Sequence, residues 1–209
     1  MEITDLVTGE LGEWVLNVRG TSGAGKTTLM RTLIESDTES AELFVSGVKK
    51  PAFVYCPSYN IIVIGSYRNV CGGCDNFVKE QIVRFLKIAW MTSANVFYEG
   101  LMLHTKEPYY WYMRELSQTI GKRHFGFVYL TLPVEECLKR VYIRNGGKVI
   151  KEKNAIDRYN SLLRCKAWQE QQEDAVVIEA NASYSPKELL SRVLIGVQTI
   201  QDDQKKITV

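Results

Sequence analysis

The residues with the most legible chemistry run Gly20-Thr21-Ser22-Gly23-Ala24-Gly25-Lys26-Thr27, with Thr28 after them. They match G-x-x-x-x-G-K-[ST] without a mismatch. At that spacing the glycines let backbone N–H groups turn inward around phosphate oxygens. Lys26 is placed to reach the β- and γ-phosphates of a nucleoside triphosphate, and the Thr27 hydroxyl to reach Mg²⁺. A glycine-rich turn that binds nothing is the competing reading. The apolar run before the motif and the helical pattern after it favour the phosphate loop, because a helix N-terminus adds partial positive charge. The implied cofactors are ATP, held by residues 20–28, and Mg²⁺.

A nucleotide site of this kind needs an acid. Val96-Phe97-Tyr98-Glu99 is an apolar strand ending in a carboxylate, so Glu99 is the candidate to hold Mg²⁺ beside Thr27 or to accept a substrate proton. A solvent-facing acid at a strand end is the alternative. Cations come next. Arg140 and Arg144 are four apart and share a helix face near its end. Lys148, Lys151 and Lys153 follow in a loop opened by Gly146-Gly147, and Arg158 and Arg164 lie on the next helix. Such a segment can close over a triphosphate and neutralise charge developing during transfer. Read as a bare charge run, it is a solvated basic face.

Cys71-Gly72-Gly73-Cys74-Asp75 precedes a helical pattern. C-x-x-C raises a redox pair or half a zinc site, but no second C-x-x-C or nearby His completes one. Gly72 and Gly73 let the backbone approach a substrate, with Asp75 either a general base toward a hydroxyl or a helix N-cap. Tyr67 and Arg68 offer further acceptor contacts. Tyr109-Tyr110-Trp111-Tyr112 cannot all face a core from one helix. One or two are expected at the surface near Lys106 and Arg114, stacking a base or packing on a neighbouring element or a dimer partner.

These residues need a scaffold that delivers loops at strand ends. Strands are expected at 13–18, 53–55, 61–64, 95–98, 125–130 and 175–178. Helices are expected at 26–35, 75–91, 108–120, 133 to about 145, 154–172 and 186–200. That alternation predicts βαβ units, a mostly parallel sheet covered on both faces, and ligands at the carboxyl ends of its strands. The expected class is α/β: a three-layer P-loop kinase fold with a small cationic lid. It is read as a single domain over 1–209, with the lid at about 145–155 and the acceptor region at about 65–92. The polar tail 201–209 is expected to fray.

Composition sets bounds around this. A chain of 209 residues with 45% hydrophobic and 24% charged residues is neither disordered nor collagen-like nor a coiled coil. No apolar run approaches the ~18–20 residues of a membrane span. The first residues carry acid and no apolar h-region, so no membrane association and a cytoplasmic setting are expected. A net charge of +2 excludes a histone-like polycation and leaves room for a local basic face. The 5 cysteines are scattered and odd in number, which fits reduced thiols rather than a disulfide framework.

The combination resembles bacteriophage-encoded P-loop kinases of the thymidylate and nucleoside-monophosphate kinase type. The resembling pieces are GTSGAGKTT at 20–28, IGSYRNVCGGCD at 64–75, YEGLML at 98–103, LPVEECLKRVYIRN at 132–145 and KEKNAIDRY at 151–159. Within that group it looks most similar to kinases of 5-hydroxymethyluracil already built into phage DNA, the Gly-Ser-Tyr…Cys-Gly-Gly-Cys-Asp stretch being the discriminating part. The resemblance implies ATP on residues 20–28 and transfer supported by Arg140 and Arg144. It also implies DNA containing modified thymine as partner, in the cytoplasm of a host cell. Acceptor contacts are assigned to Tyr67, Arg68, Gly72, Gly73, Asp75, Glu99 and Arg158, and the proton acceptor to Asp75 or Glu99, from the residues available. Where thymidylate kinases carry an Asp-Arg pair after the acidic strand, Glu99-Gly100 stands here.

Two other functions compete. A free deoxynucleoside monophosphate kinase needs an arginine clamp on the acceptor phosphate, with Arg68, Arg84 and Arg114 as candidates. A P-loop regulatory ATPase needs switch sequences that are not recognisable here. A homodimer would extend the small DNA footprint that near-neutral charge allows.

Overall fold

The computed structural model describes residues 2–69, 73–99, 108–148, 151–199 and 206–208. Its central strand is β1 (Trp14–Arg19), buried at every position. A strand apolar on both sides needs partners on both edges and cover on both faces, and β1 has them. It pairs in parallel with β5 (Asn95–Glu99) on one edge and with β6 (His124–Thr131) on the other. Beyond β5 lie β4 (Ile61–Ile64), β3 (Phe53–Cys56) and β2 (Ala41–Leu43). Beyond β6 lie β7 (Ala175–Asn181) and β8 (Lys206–Thr208), completing an eight-stranded sheet in the order β2-β3-β4-β5-β1-β6-β7-β8. Among the described strands only the β2–β3 and β3–β4 pairs are antiparallel. The β3–β4 hairpin turns through Pro57–Tyr59 and then Asn60, which takes φ +50, a conformation asparagine tolerates.

Alternating side chains build one core on each face. Val15 joins the cluster formed with α2 (Lys79–Trp90) and α3 (Pro108–Thr119), while Leu16 and Val18 join that of α1 (Lys26–Ser36) and α6 (Pro186–Gln198). In α2 the buried residues Ile82, Phe85, Leu86, Ala89 and Trp90 recur at helical spacing. Ser185 caps α6, its side chain accepting from the Glu188 N–H ahead of Pro186. α4 (Val134–Arg144) ends at Gly146 and Gly147, both at positive φ, and α5 (Glu152–Gln169) follows. At the amino end of the sheet, Arg123 is buried and donates to the carbonyls of Ala89, Trp90, Thr92, Trp14 and Ala94.

Several expectations are corrected. Asp75 is not a helix N-cap: Cys74–Asn76 forms a separate 3₁₀ turn, the chain extends at Phe77, and α2 starts at Lys79. The tail is not wholly frayed, because 206–208 pair in parallel with Val177, Ile178 and Glu179. The strand β2 was not anticipated. Of the aromatic run, Tyr109 and Tyr110 are buried and Trp111 is exposed, its ring beside Arg114. Among the described residues no helix is long and apolar enough to cross a membrane.

Candidate active site

β1 and β5 end level with each other, Val18 opposite Glu99, and the glycine-rich loop leaves β1 from that level to start α1. Gly25 precedes α1 at φ +96, in the left-handed region that favours glycine. Gly23, at φ +89, is pressed onto α4 so that a Cβ would stand 2.3 Å from the Cys137 carbonyl oxygen. The Thr21 hydroxyl hydrogen-bonds the Cys137 sulfur at 3.2 Å. These contacts hold α4 against the loop and carry Arg140 and Arg144 to its rim.

The loop, the end of β5, the 3₁₀ turn and α4 surround a cavity of about 400 Å³. Ser22, Gly23, Gly25, Lys26, Thr27, Thr28, Asp75, Glu99, Arg140 and Arg144 line it, all of them singled out from the sequence. Gly20 and Ala24 do not line it; they pack together beneath the loop, against Leu130. Lys26 curls back, its ammonium donating to the Gly20 carbonyl at 2.9 Å and the Thr21 carbonyl at 3.2 Å. Burial draws its pKa below the ordinary value, against the opposing pull of Glu99 and Asp75.

Glu99 is the buried acid of the cavity. It is 4% exposed, and burial first of all raises its pKa to about 7, partly offset by Lys26 and by the Thr27 hydroxyl, which donates to Oε2 at 3.0 Å. Oε1 is buried without a hydrogen-bond partner. The buried Tyr67 hydroxyl faces Glu99, whose charge helps to hold the phenol well above its ordinary range after burial itself. Asp75 stands exposed at the mouth, with partial burial raising its carboxyl and Lys26 and Arg144 lowering it. A carboxylate oxygen with free lone pairs beside a threonine hydroxyl fits Mg²⁺, which takes one or two protein oxygens and fills its shell with phosphate and water.

The sequence reading missed Arg31. It lies one turn beyond Thr27 on the same face of α1, lines the cavity, and donates to the carbonyls of Tyr67 and Asn69. It thereby ties α1 to residues 67–69, which precede the Cys-Gly-Gly-Cys sequence. Other expected contacts lie elsewhere. Arg68 is exposed and paired bidentately with Glu42. Arg158 and Lys151 line a separate cavity of about 250 Å³ between α4, α5 and Ser22. Arg84 reaches the Ser46 carbonyl, and Arg114 pairs with Asp174 near the amino end of β6. Cys74 is buried, its thiol directed at the Ile64 carbonyl. Cys71, Gly72, Gly100 and Lys106 lie outside the described residues, and among the described ones no group of His, Cys, Asp and Glu gathers for a metal.

The comparison with known families decides what this cavity belongs to. A family model described as 5-hmdU DNA kinase matches residues 7–178. The chain belongs to the 5-hmdU DNA kinase family. That match takes in the glycine-rich loop, Asp75, Glu99, α4 and α5, and leaves α6 and β8 outside it. Similar proteins carry the same description. A 5-hmdU DNA kinase of Bacillus phage SP10 is 33% identical over 137 residues, 64% of this chain. One of Pseudomonas phage M6 is 31% identical over 160 residues, 72% of this chain and 82% of that protein. One of Pseudomonas phage PaMx11 is 30% identical over 142 residues, 64% of this chain and 70% of that protein. The chain spans about a fifth of the Bacillus phage relative, 21% of its length.

Proposed function

We propose that this family member transfers the γ-phosphate of ATP to the hydroxymethyl oxygen of 5-hydroxymethyluracil in DNA, in the host cytoplasm where phage DNA and ATP meet. The observation that carries this reading is the convergence of Lys26, Thr27, Glu99, Asp75, Arg140 and Arg144 on one cavity in a chain of this family. The α/β architecture is read as a three-layer P-loop kinase domain, with the lid at about 145–155 and the acceptor region at about 65–92.

In this reading the loop N–H groups and Lys26 hold the β- and γ-phosphates, Lys26 leaving the Gly20 and Thr21 carbonyls to do so. Thr27 and Glu99 hold Mg²⁺, which supplies charge neutralisation at the phosphates when bound. The hydroxymethyl oxygen forms a bond to the γ-phosphorus as the bond from that phosphorus to the β–γ bridging oxygen breaks, and ADP leaves. The hydroxyl proton passes to Asp75, whose raised pKa makes it the more basic for being partly buried. Arg140 and Arg144 stabilise the charge that spreads over the equatorial oxygens. The acceptor base has to leave the stack to present its hydroxymethyl group to a cavity of this size.

The test offers γ-labelled ATP with DNA containing 5-hydroxymethyluracil, unmodified DNA and free deoxynucleoside monophosphates in parallel. Label confined to the modified DNA supports the proposal. Label confined to nucleoside diphosphate would return the chain to nucleotide metabolism, although Arg68, Arg84 and Arg114 do not line the cavity that such a clamp would serve.

A further inference from the structure

Helix α5 carries one stripe along its length: Ala155, Arg158, Leu162, Cys165 and Gln169 recur at helical spacing. The last three are buried. The first two are not. With Asn154, and with Lys151 at the amino end of the helix, they line the cavity of about 250 Å³ that α5 shares with α4 and the phosphate loop. From α4 come an apolar floor of Val134, Leu138 and Val141 and, at its last turn, Arg144. Three cations thus stand over an apolar floor, and among the described residues that line the cavity none is an acid.

Elsewhere on the molecule exposed arginines are committed to carboxylates: Arg68 to Glu42, Arg114 to Asp174, Arg140 to Glu136 and Arg192 to Glu188. Among the described residues Lys151 and Arg158 have no such partner. Unneutralised cations gathered in a cleft focus their field and draw anions from solution. The cavity also adjoins the chemistry, because Ser22 and Arg144 line both it and the transfer cavity. Its α5 wall belongs to the sheet face that carries Cys74, next to Asp75, since Leu162 shares a core cluster with Cys74, Phe85 and Tyr109. α1 and α6 cover the other face.

An occupant must be anionic where it meets the cations, apolar where it meets α4, and continuous with a group in the transfer cavity. At about 250 Å³ the space falls just below the ~300 Å³ at which pockets for whole small molecules begin, which suits one segment of a longer chain. A deoxyribose with its phosphodiester meets each demand. We propose that this cavity seats the sugar–phosphate next to the hydroxymethyluracil in the acceptor strand, with Lys151 and Arg158 on the phosphodiester and the sugar against α4. The inference rests on the phosphotransfer reading above and adds to it the residues that hold the strand while the base is presented.

Oligonucleotides carrying one 5-hydroxymethyluracil test it, with a neutral methylphosphonate replacing the linkage on one side of that nucleotide, on the other side, or nowhere. In the unaltered protein the replacement on one of the two sides is expected to raise KM by about 10-fold, the worth of a charge-assisted hydrogen bond. Arg158→Ala and Lys151→Ala should each raise KM for the all-phosphodiester DNA by about as much, with the Kd of an ATP analogue within a factor of about two. Each should also lower the slope of log KM against log salt by about one. Arg158→Ala combined with the sensitive methylphosphonate should cost no more than either alone, because both remove the same contact. Losses that multiply, an unchanged salt slope, or a KM indifferent to both variants overturns the inference while leaving phosphotransfer intact. A rise in the Kd of the analogue that matches the rise in KM assigns the cations to the triphosphate and overturns it as well. Transfer to none of the oligonucleotides overturns the phosphotransfer reading and this inference with it.

Discussion

Gly73 lies against the carboxylate of Glu99 so closely that a Cβ on it would stand 2.3 Å from Oε1 and 2.9 Å from Cδ. Behind it Gly65 is packed in turn, a Cβ there falling 2.6 Å from the Gly73 Cα. The turn is pinned in this place by the Gly73 N–H donating to the Ser66 carbonyl at 2.8 Å. The backbone at Gly73 is thus the wall of the acid's compartment, and only a residue without a side chain lets it close in.

Gly73→Ala is therefore expected to displace Glu99 as well as to strain a backbone held at φ +76. Transfer should fall by about 100-fold or more, while the Kd of an ATP analogue changes far less, because the phosphate loop is on the other side of the carboxylate. Single-turnover transfer set beside analogue binding separates the two, and parallel losses in both would refute the assignment.

Lys26→Met should lower kcat by about 1000-fold, and Arg144→Ala by about 100-fold, since each removes a cation from the place where transferred charge develops. The arginine variant should keep its folded stability, because Arg144 is exposed and, among the described residues, bonds to Asn145. Thermal melts alongside kinetics check both halves of the statement.

Glu99 makes stability depend on pH in a definite direction. With a folded pKa of about 7, set chiefly by burial, the native state keeps a proton that an unfolded glutamate gives up near its ordinary ~4.3. Stability conferred by that proton is present in full below the lower value and is lost as pH rises through the higher one. The loss should be no more than about 4 kcal/mol. Urea midpoints from pH 4.5 to 8 should show it, and Glu99→Gln should flatten the profile. Mg²⁺ affinity should move the opposite way, strengthening as the carboxyl ionises. A pH-independent midpoint in the unaltered chain would contradict the burial of a titrating group here.

Arg31→Met is expected to act at the acceptor end. Its guanidinium bonds the carbonyls of Tyr67 and Asn69, so its loss should loosen the segment that carries Tyr67 to Glu99. The KM for modified DNA should rise by about 10-fold, with kcat at saturating DNA largely retained. A drop confined to ATP affinity would place Arg31 on the phosphates instead.

The glycine-rich loop and Glu99 were legible because their chemistry demands fixed residue types at fixed intervals. Arg31 was not. An arginine one turn into an amphipathic helix has the same spacing whether it meets solvent or a carbonyl, and its partners are remote in sequence, Tyr67 lying 36 residues away. Arg19 was hidden for a related reason: a cation at the end of an apolar strand reads as the point where the strand reaches water, yet it is buried, its guanidinium over Phe127 of β6 far along the chain. The start of α2 was misplaced because Phe77 falls in step with Phe85. The two rings do meet, at 5.0 Å and 90°, but from separate elements across an extended residue. Short β2 and β8 carry too few residues to establish an alternation, and only pairing with a neighbour defines them.

Those same two strands are the rims of the sheet, and each is three residues long. A rim exposes backbone N–H and C=O groups that a second molecule can adopt, and long flat rims invite chains to polymerise side by side. Here the apolar interior strands are shielded at both margins by segments too brief to template such growth. Edge-to-edge growth of the sheet is therefore disfavoured among the described strands, and crowding at high expression should leave the chain dispersed rather than fibrous.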